Sequence, residues 1–285
     1  ANHAIDFLKR HKDKPFFLAC GFVRPHVPLV APEKYFDLYD RDAMLAPRVP
    51  ANDLEDVPEI IRNYKRNSTS YGVTPELHKG LLEAYYASIS YMDAQVGRVL
   101  DTLNEQGLAE NTIVVFTSDH GYLLGHHHKF QKQHLFEEAT RVPFIVSVPW
   151  MKKQHGKATK HITELIDLYP TLADLSGLKA PGNLHGESVV PLLKDPSSDD
   201  WKKDLAFTIS RSGGESIRTH EWRFTQWCFG AGGMELYDLR KDPEEFTNLA
   251  GNPTYNSPLK KLKEQLEIKR VDAGFSAKLF RRKKK

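Results

Sequence analysis

The chain has 285 residues, of which 40% are hydrophobic and 27% charged, and its formal net charge is +3 at pH 7. That balance excludes an intrinsically disordered segment, and a chain of this size can bury a substantial core in one large or two smaller domains. No apolar stretch approaches the roughly 20 residues of a membrane-crossing helix, and a nucleic-acid role would rest on the basic run at 281–285 alone, which reads as a solvated end.

Residues 4–11 carry Ile5, Phe7 and Leu8 among polar neighbours, as the end of an amphipathic helix does. The chain opens in mid-helix with neither an initiator Met nor a signal peptide, so we expect it to be cut from something longer. The apolar run at 16–20 predicts a buried strand closed by Gly21. Beyond it Pro25 and Pro28 stiffen the backbone around His26, holding an imidazole and the Arg24 guanidinium in a fixed loop. Residues 31–74 form a long surface excursion rich in Pro, Asp, Arg and Asn, and Asn67-Ser68-Thr69 within it fits a glycosylation acceptor.

Helical spacing resumes from Pro75 to Gln106, with Leu77, Leu81, Leu82, Tyr85, Ile89, Met92, Val96, Val99, Leu100 and Leu103 on one broad face. Gly107 stops it. Residues 113–117 are apolar or β-branched throughout, the pattern of a strand covered on both faces, and they end abruptly at Asp119, His120 and Gly121. Ligands sit at the carboxyl ends of such strands. Asp119 offers anionic oxygen to a cation and His120 a neutral ring nitrogen, while Gly121 lets the backbone turn beside them. His126, His127 and His128 follow, but neighbouring residues cannot all point one way, and the segment lacks the i, i+4 helical spacing by which two His share a metal. The segment reads instead as a polar loop in which one imidazole and one lysine face an anionic substrate.

Residues 140–149 predict another strand, and 161–175 a helix interrupted or restarted at Pro170 and closed by Gly177. After Leu193 a polar linker leads to short strand candidates at 205–210, 216–219, 222–228 and 235–238, then to a helix at 259–271. The strand and helix order predicts an α/β fold with a mixed, mostly parallel central sheet between helices at 1–203. A small antiparallel sheet with one covering helix is expected at 204–285. Cys20 and Cys228 lie far apart without metal spacing, and Cys20 in its apolar run reads as a small buried hydrophobe.

These segments carry Phe-Phe-Leu-Ala at 16–19, Arg-Pro-His-Val-Pro at 24–28, Thr-Ser-Asp-His-Gly at 117–121 and Arg-Val-Pro-Phe at 141–144. Ile-Asp-Leu-Tyr-Pro-Thr-Leu at 166–172, Leu-His-Gly-Glu-Ser at 184–188 and Glu-Leu-Tyr-Asp-Leu at 235–239, followed by Asp-Pro-Glu-Glu and Asn-Leu-Ala, continue the series. In that order they resemble the sulfatase family of the alkaline phosphatase superfamily, in its iduronate-2-sulfatase-like branch. The resemblance implies hydrolysis of sulfate esters, one calcium ion held in part by Asp119 and His120, His26 at the sulfate or its bridging oxygen, and Lys132, with Lys129 as the alternative, on the sulfate. It also implies a periplasmic, secreted or lysosomal setting and a sulfated small molecule or glycan as partner. Tyr122, Arg24, Arg218, His220 and Trp222 are candidates for lining the substrate cleft.

The sequence departs from the family in two respects. Members make a formylglycine nucleophile from a Cys/Ser-x-Pro/Ala-x-Arg motif and add an Asp-Asp pair for calcium, whereas Cys20 precedes Gly-Phe-Val, Cys228 precedes Phe-Gly-Ala, and the adjacent Asp199-Asp200 lies in the linker. We therefore expect a carboxyl-terminal portion of a sulfatase that is inactive alone and is completed by an amino-terminal segment. The competing expectations are a phosphate or phosphonate ester hydrolase of the same superfamily and a non-catalytic module for sulfated glycans.

Overall fold

The structure is a computed structural model that describes residues 1–63 and 72–275. The Asn67-Ser68-Thr69 acceptor and the basic run at 281–285 lie outside the described residues. The first helix, α1 (Asn2–His11), ends in Lys9, Arg10 and His11, cations placed where the negative end of the helix dipole favours them. It buries Ala4 and Leu8. Residues 16–20, expected as a buried strand, belong to no strand among the described residues, and Phe17 is 79% exposed. Cys20 is exposed as well. An apolar run becomes a strand only where a neighbour satisfies its amides and carbonyls, and among the described residues no such ladder reaches this run.

The long excursion contains single turns, α2 (Glu33–Phe36), a 3-10 turn at Arg41–Ala43 and α3 (Glu59–Arg62). α4 (Pro75–Glu105) is the long helix the spacing predicts. The Thr74 hydroxyl accepts the Leu77 amide at 3.3 Å and Pro75 occupies the first turn, so two of the groups a helix start leaves unsatisfied are dealt with locally. At the other end Gly107 takes φ +71° while the Leu108 amide returns to the Leu103 carbonyl at 3.0 Å, an ending that a left-handed residue permits. Leu82, Ala87 and Leu103 are buried, whereas Leu77 in the first turn is exposed despite lying on the predicted face.

β1 (Val114–Thr117) precedes the Asp-His-Gly turn, and β2 (Leu123–Leu124), β3 (Phe130–Gln131), α5 (Glu137–Thr140) and β4 (Phe144–Ser147) follow. β1 and β4 neighbour each other in a two-stranded sheet. Both are less covered than their apolar runs predict: β1 is half-buried along its length and Ile145 of β4 is exposed. A 3-10 turn at Leu165–Asp167 then feeds α6 (Leu168–Leu175), whose first turn accommodates Pro170, since an amide there has no intrahelical partner to lose. After α7 (Val190–Lys194) come β5 (Leu205–Ile209), β6 (Gly214–Thr219), β7 (Trp222–Trp227) and β8 (Met234–Asp238), and finally α8 (Asn256–Asp272).

The chain divides into two compact units, one of residues 1–48, 68–115 and 146–152, the other of 49–67, 116–145 and 153–285. In the first, α1 and α2 pack on α4, and Arg41 reaches the buried Glu83 carboxylate at 2.6 Å. In the second, β5 to β8 form an antiparallel sheet in sequence order. Alternation along these strands sends Leu205, Ile217, Phe224 and Leu236 to one face, where Leu262 and Leu266 of α8 cover them. Trp227 and Tyr237 point the other way and join Leu123, Leu135, Phe136 and Ala139 in a second core cluster. The architecture is thus mixed α/β with the expected antiparallel sheet and covering helix near the carboxyl end.

Candidate active site

The turn after β1 is shaped by glycine. A Cβ on Gly121 would stand 1.9 Å from the carbonyl oxygen of Glu138, because the Gly121 amide donates to the Ala139 carbonyl at 2.9 Å and the Tyr122 amide to the Glu138 carbonyl at 2.8 Å. The turn is therefore clamped edge-on to α5, and no side chain fits at 121. Replacing Gly121 with Ala is expected to lower stability by about 1–3 kcal/mol through overpacking against main chain that cannot swing away. Thermal denaturation checks this, and an unchanged melting temperature would show that the clamp yields.

Asp119 and His120 stand on that turn. The Asp119 carboxylate is 86% exposed and its Oδ2 lies 3.7 Å from His120 Nε2. His120 Nδ1 is 2.8 Å from the Gly121 carbonyl oxygen. A carbonyl only accepts, so Nδ1 carries the proton and Nε2 presents its lone pair beside the carboxylate. A ring fixed through its far nitrogen is the usual arrangement for a metal-binding imidazole. Two ligand atoms at right angles on a calcium ion with bonds of about 2.4 Å stand about 3.4 Å apart, close to the separation seen. The pair thus fits two corners of a coordination sphere. Calcium takes 6–8 ligands, and among the described residues no cluster of three or more His, Cys, Asp or Glu side chains is disposed to hold a metal.

β2 and β3 form a short antiparallel hairpin, with Leu123 opposite Gln131 and Leu124 opposite Phe130. Extending that register places Tyr122 and Lys132 at the open end, next in sequence to the Asp-His-Gly turn. The connecting loop is tightly wound. Gly125, His127, His128 and Gln131 all have positive φ, and three of these are non-glycine residues held in a region that L-residues rarely adopt. Lys132 is half-buried. Lys129, at the closed end, corrects the expectation that it faces a substrate: it is 0% exposed, and its ammonium donates to the carbonyls of Ile61 at 2.8 Å and Arg62 at 3.2 Å. Burial pulls its pKa down to about 8, with the Asp53 carboxylate working in the opposite direction.

The three histidines diverge as their adjacency requires. His127 is buried, stacked on Phe136 at 3.7 Å and paired through Nδ1 with Asp53 Oδ2 at 3.1 Å. Burial alone would lower its pKa, but Asp53, helped by Glu138 and Glu245, holds it above the usual imidazole value. His128 Nε2 contacts the Pro50 carbonyl at 2.9 Å. His26 and Arg24 belong to the other unit. There the Arg24 guanidinium donates to the carbonyls of His26 at 2.8 Å and Pro28 at 2.6 Å, so it organises its own loop. His26 Nδ1 lies 2.8 Å from the Val27 carbonyl, so Nδ1 carries the proton and Nε2 of the exposed ring keeps its lone pair.

Arg218 and His220 fall on and just after β6. His220 is exposed at the turn. Arg218 pairs across strands with Arg223, and its guanidinium reaches Glu137 at 3.5 Å. Trp222 packs on Arg240, at 4.9 Å, and against Tyr255. The spacing of motifs gave no sign of Asp53, Glu137 or Arg223, and Glu235 and Glu245 stood inside quoted motifs with no role attached; all five are ionisable and partly or wholly buried. The partners of Asp53, Glu137, Arg223 and Glu245 lie far off in sequence, so no local pattern marks them.

Comparison with known proteins gives the family. The sulfatase family model matches residues 1–178, and a model described as the carboxyl-terminal part of N-sulphoglucosamine sulphohydrolase matches residues 125–272. The chain is 35% identical over 271 residues to a sulfatase of Formosa agariphila, covering 93% of this chain and 52% of that protein. It is 36% identical over 284 residues to the iduronate 2-sulfatase of Mus musculus, covering 86% of this chain and 46% of that protein. Among solved structures, the phosphonate monoester hydrolase of Agrobacterium radiobacter superposes with a TM-score of 0.82 at 26% identity, over 94% of this chain and 59% of that one. The chain thus spans about half the length of the curated relatives it matches. With the sulfatase model matching more than half of its residues, the chain belongs to the sulfatase family.

Proposed function

We propose that this chain supplies the cation-binding and sulfate-binding side of a site that hydrolyses sulfate esters of carbohydrates. The observation that carries the reading is the Asp119–His120 pair, whose carboxylate and ring lone pair stand 3.7 Å apart on a turn locked by Gly121. A bound calcium ion would draw charge from the sulfate oxygens. Asp119 would hold the ion through its carboxylate and His120 through Nε2, its orientation fixed by the Nδ1 contact with Gly121. Lys132 would offer its ammonium to a sulfate oxygen, neutralising charge that builds as the ester bond breaks. No Cys/Ser-x-Pro/Ala-x-Arg motif occurs in these 285 residues, so the reading assigns the attack on sulfur to a group outside them.

Calcium titration of the chain tests the reading directly. Asp119→Ala and His120→Ala are each expected to remove the binding heat or terbium luminescence seen with the parent. In an aryl sulfate assay with an amino-terminal segment bearing the missing motif, each should lower the rate by about 100-fold or more. Retained activity in both variants would show that the cation is held elsewhere. A second reading, hydrolysis of phosphonate or phosphate esters, draws on the likeness to the phosphonate monoester hydrolase. It predicts faster turnover of a phenyl phosphonate than of a phenyl sulfate in the same assay.

A further inference from the structure

We infer that Arg223, Glu245 and Glu137 form a positioning device that sets the Asp119–His120 turn from the antiparallel sheet behind it. The inference rests on the calcium reading given above for its purpose, but its geometry stands without it. Arg223 lies on β7 and is fully buried, its guanidinium gripping Glu245 on one side and Glu137 on the other. A buried guanidinium is costly unless its donors are matched, and here two carboxylates match it. Directly across the ladder stands Arg218, also turned toward Glu137. Two arginines facing each other on neighbouring strands repel, so this placement is tolerable only with the Glu137 carboxylate between them.

Glu245 is bound into the same device from the other side. It has φ +59°, an uncommon conformation for a residue with a side chain, and it is held there by Asp242, whose carbonyl accepts the Glu245 amide and whose carboxylate accepts the amides of Phe246 at 3.1 Å and Thr247 at 2.7 Å. So held, the second oxygen of Glu245 accepts the main-chain amide of Glu137 at 3.0 Å. Both ends of Glu137, amide and carboxylate, are therefore fixed by side chains from the sheet and the loop after it. The next two residues, Glu138 and Ala139, present the carbonyls that clamp Tyr122 and Gly121. The path runs from β7 through Glu137 to the carbonyl edge of α5 and into the turn carrying Asp119 and His120. Apart from the main chain between Glu137 and Ala139, every link in it is a hydrogen bond or ion pair within one compact unit. Metal–ligand distances are held to within about 0.2 Å, so a shift of the turn would be felt by an ion bound there.

Two readouts on the 285-residue chain test this. Glu137→Gln keeps the shape of the side chain but weakens its hold on both arginines. It is expected to speed amide hydrogen exchange at Gly121 and Tyr122 about tenfold and to raise the calcium dissociation constant about tenfold, as loss of an outer partner does at metal sites. Arg223→Lys retains a cation and should fall between Glu137→Gln and the parent in both. Lys203→Met, which breaks a separate buried ion cluster, serves as the control for general loosening: it should lower the melting temperature while leaving both readouts near the parent values. Unchanged exchange at Gly121 and Tyr122 in Glu137→Gln, or equal acceleration in Lys203→Met, overturns the inference. If Asp119→Ala leaves calcium binding intact while exchange responds as expected, the calcium reading fails and the mechanical coupling stands.

Discussion

Lys203→Met is expected to destabilise the chain by about 3–5 kcal/mol, the usual cost of removing one partner from a buried ion cluster. The Lys203 side chain is 3% exposed, and its ammonium donates to Asp167 Oδ1 at 2.6 Å and Glu164 Oε2 at 2.9 Å. Burial would pull the lysine pKa down, but the two carboxylates more than offset it and raise the value above normal. A raised lysine contributes stability fully present below its unfolded value, near 10.5, and lost only as pH rises through the folded one, so the cluster is intact at neutral pH. The carboxylates cannot simply turn away once the ammonium is gone. Asp167 also accepts the amides of Glu164 at 2.8 Å and Glu187 at 2.9 Å, and Glu164 accepts the Phe207 amide at 2.8 Å. Methionine would leave two like charges facing each other beneath those fixed amides.

Denaturation by urea at pH 7 measures the loss, and a change below 1 kcal/mol would show that water or a neighbouring cation takes over. Adding Asp167→Asn to Lys203→Met should recover part of the loss, since the two residues touch and their effects cannot be additive.

The same cluster explains why some motifs were legible as a family signature yet gave no hint of their work. Asp167 lies in the Ile-Asp-Leu-Tyr-Pro-Thr-Leu motif and Glu187 in Leu-His-Gly-Glu-Ser, and the two meet at Asp167 Oδ1. Gly186 is required there because a Cβ would stand 2.0 Å from the Ile166 carbonyl oxygen. In the Asp-Pro-Glu-Glu and Asn-Leu-Ala motifs, Asp242 ties the loop that aims Glu245, and Asn248 bonds to Asp56, Leu236 and Ala250. These residues hold elements together over long sequence separations, which periodicity cannot reveal.

What periodicity does reveal is local. α4 and the four strands of the antiparallel sheet follow from side-chain spacing and glycine-rich turns. The run at 16–20 shows the limit, because strand formation depends on a neighbour that an apolar run does not specify. At the candidate site the adjacency of Asp119 and His120 was readable. That Lys129 is buried rather than facing a substrate needed the carbonyls of Ile61 and Arg62, some 68 positions away.

The second large effect is on pH. Glu235 is fully buried, and burial raises its pKa to about 7 despite donors from Trp227 Nε1 at 2.6 Å and the Tyr237 hydroxyl at 2.8 Å. The unfolded carboxyl titrates near 4.3. Between these values the folded protein holds a proton that the unfolded chain has released, so stability falls as pH rises through the window, by about 4 kcal/mol in all. Glu215 and Glu245, both raised by burial, act in the same sense. So does His127, whose contribution is complete below the unfolded imidazole value and is lost as pH passes its raised folded one. The groups that work oppositely titrate elsewhere: Asp238, lowered by its bond to Arg240, acts in acid, and Lys129, lowered to about 8, acts only above that pH. Urea midpoints should therefore decline from pH 5 to pH 8. Glu235→Gln, which keeps an acceptor for Trp227 but cannot ionise, should remove much of the slope and make the chain more stable than the parent at pH 8. A parent profile flat across this range, or an unchanged slope in the variant, would mean that Glu235 is charged in the fold and that Tyr237 and Trp227 solvate it well enough to offset its burial.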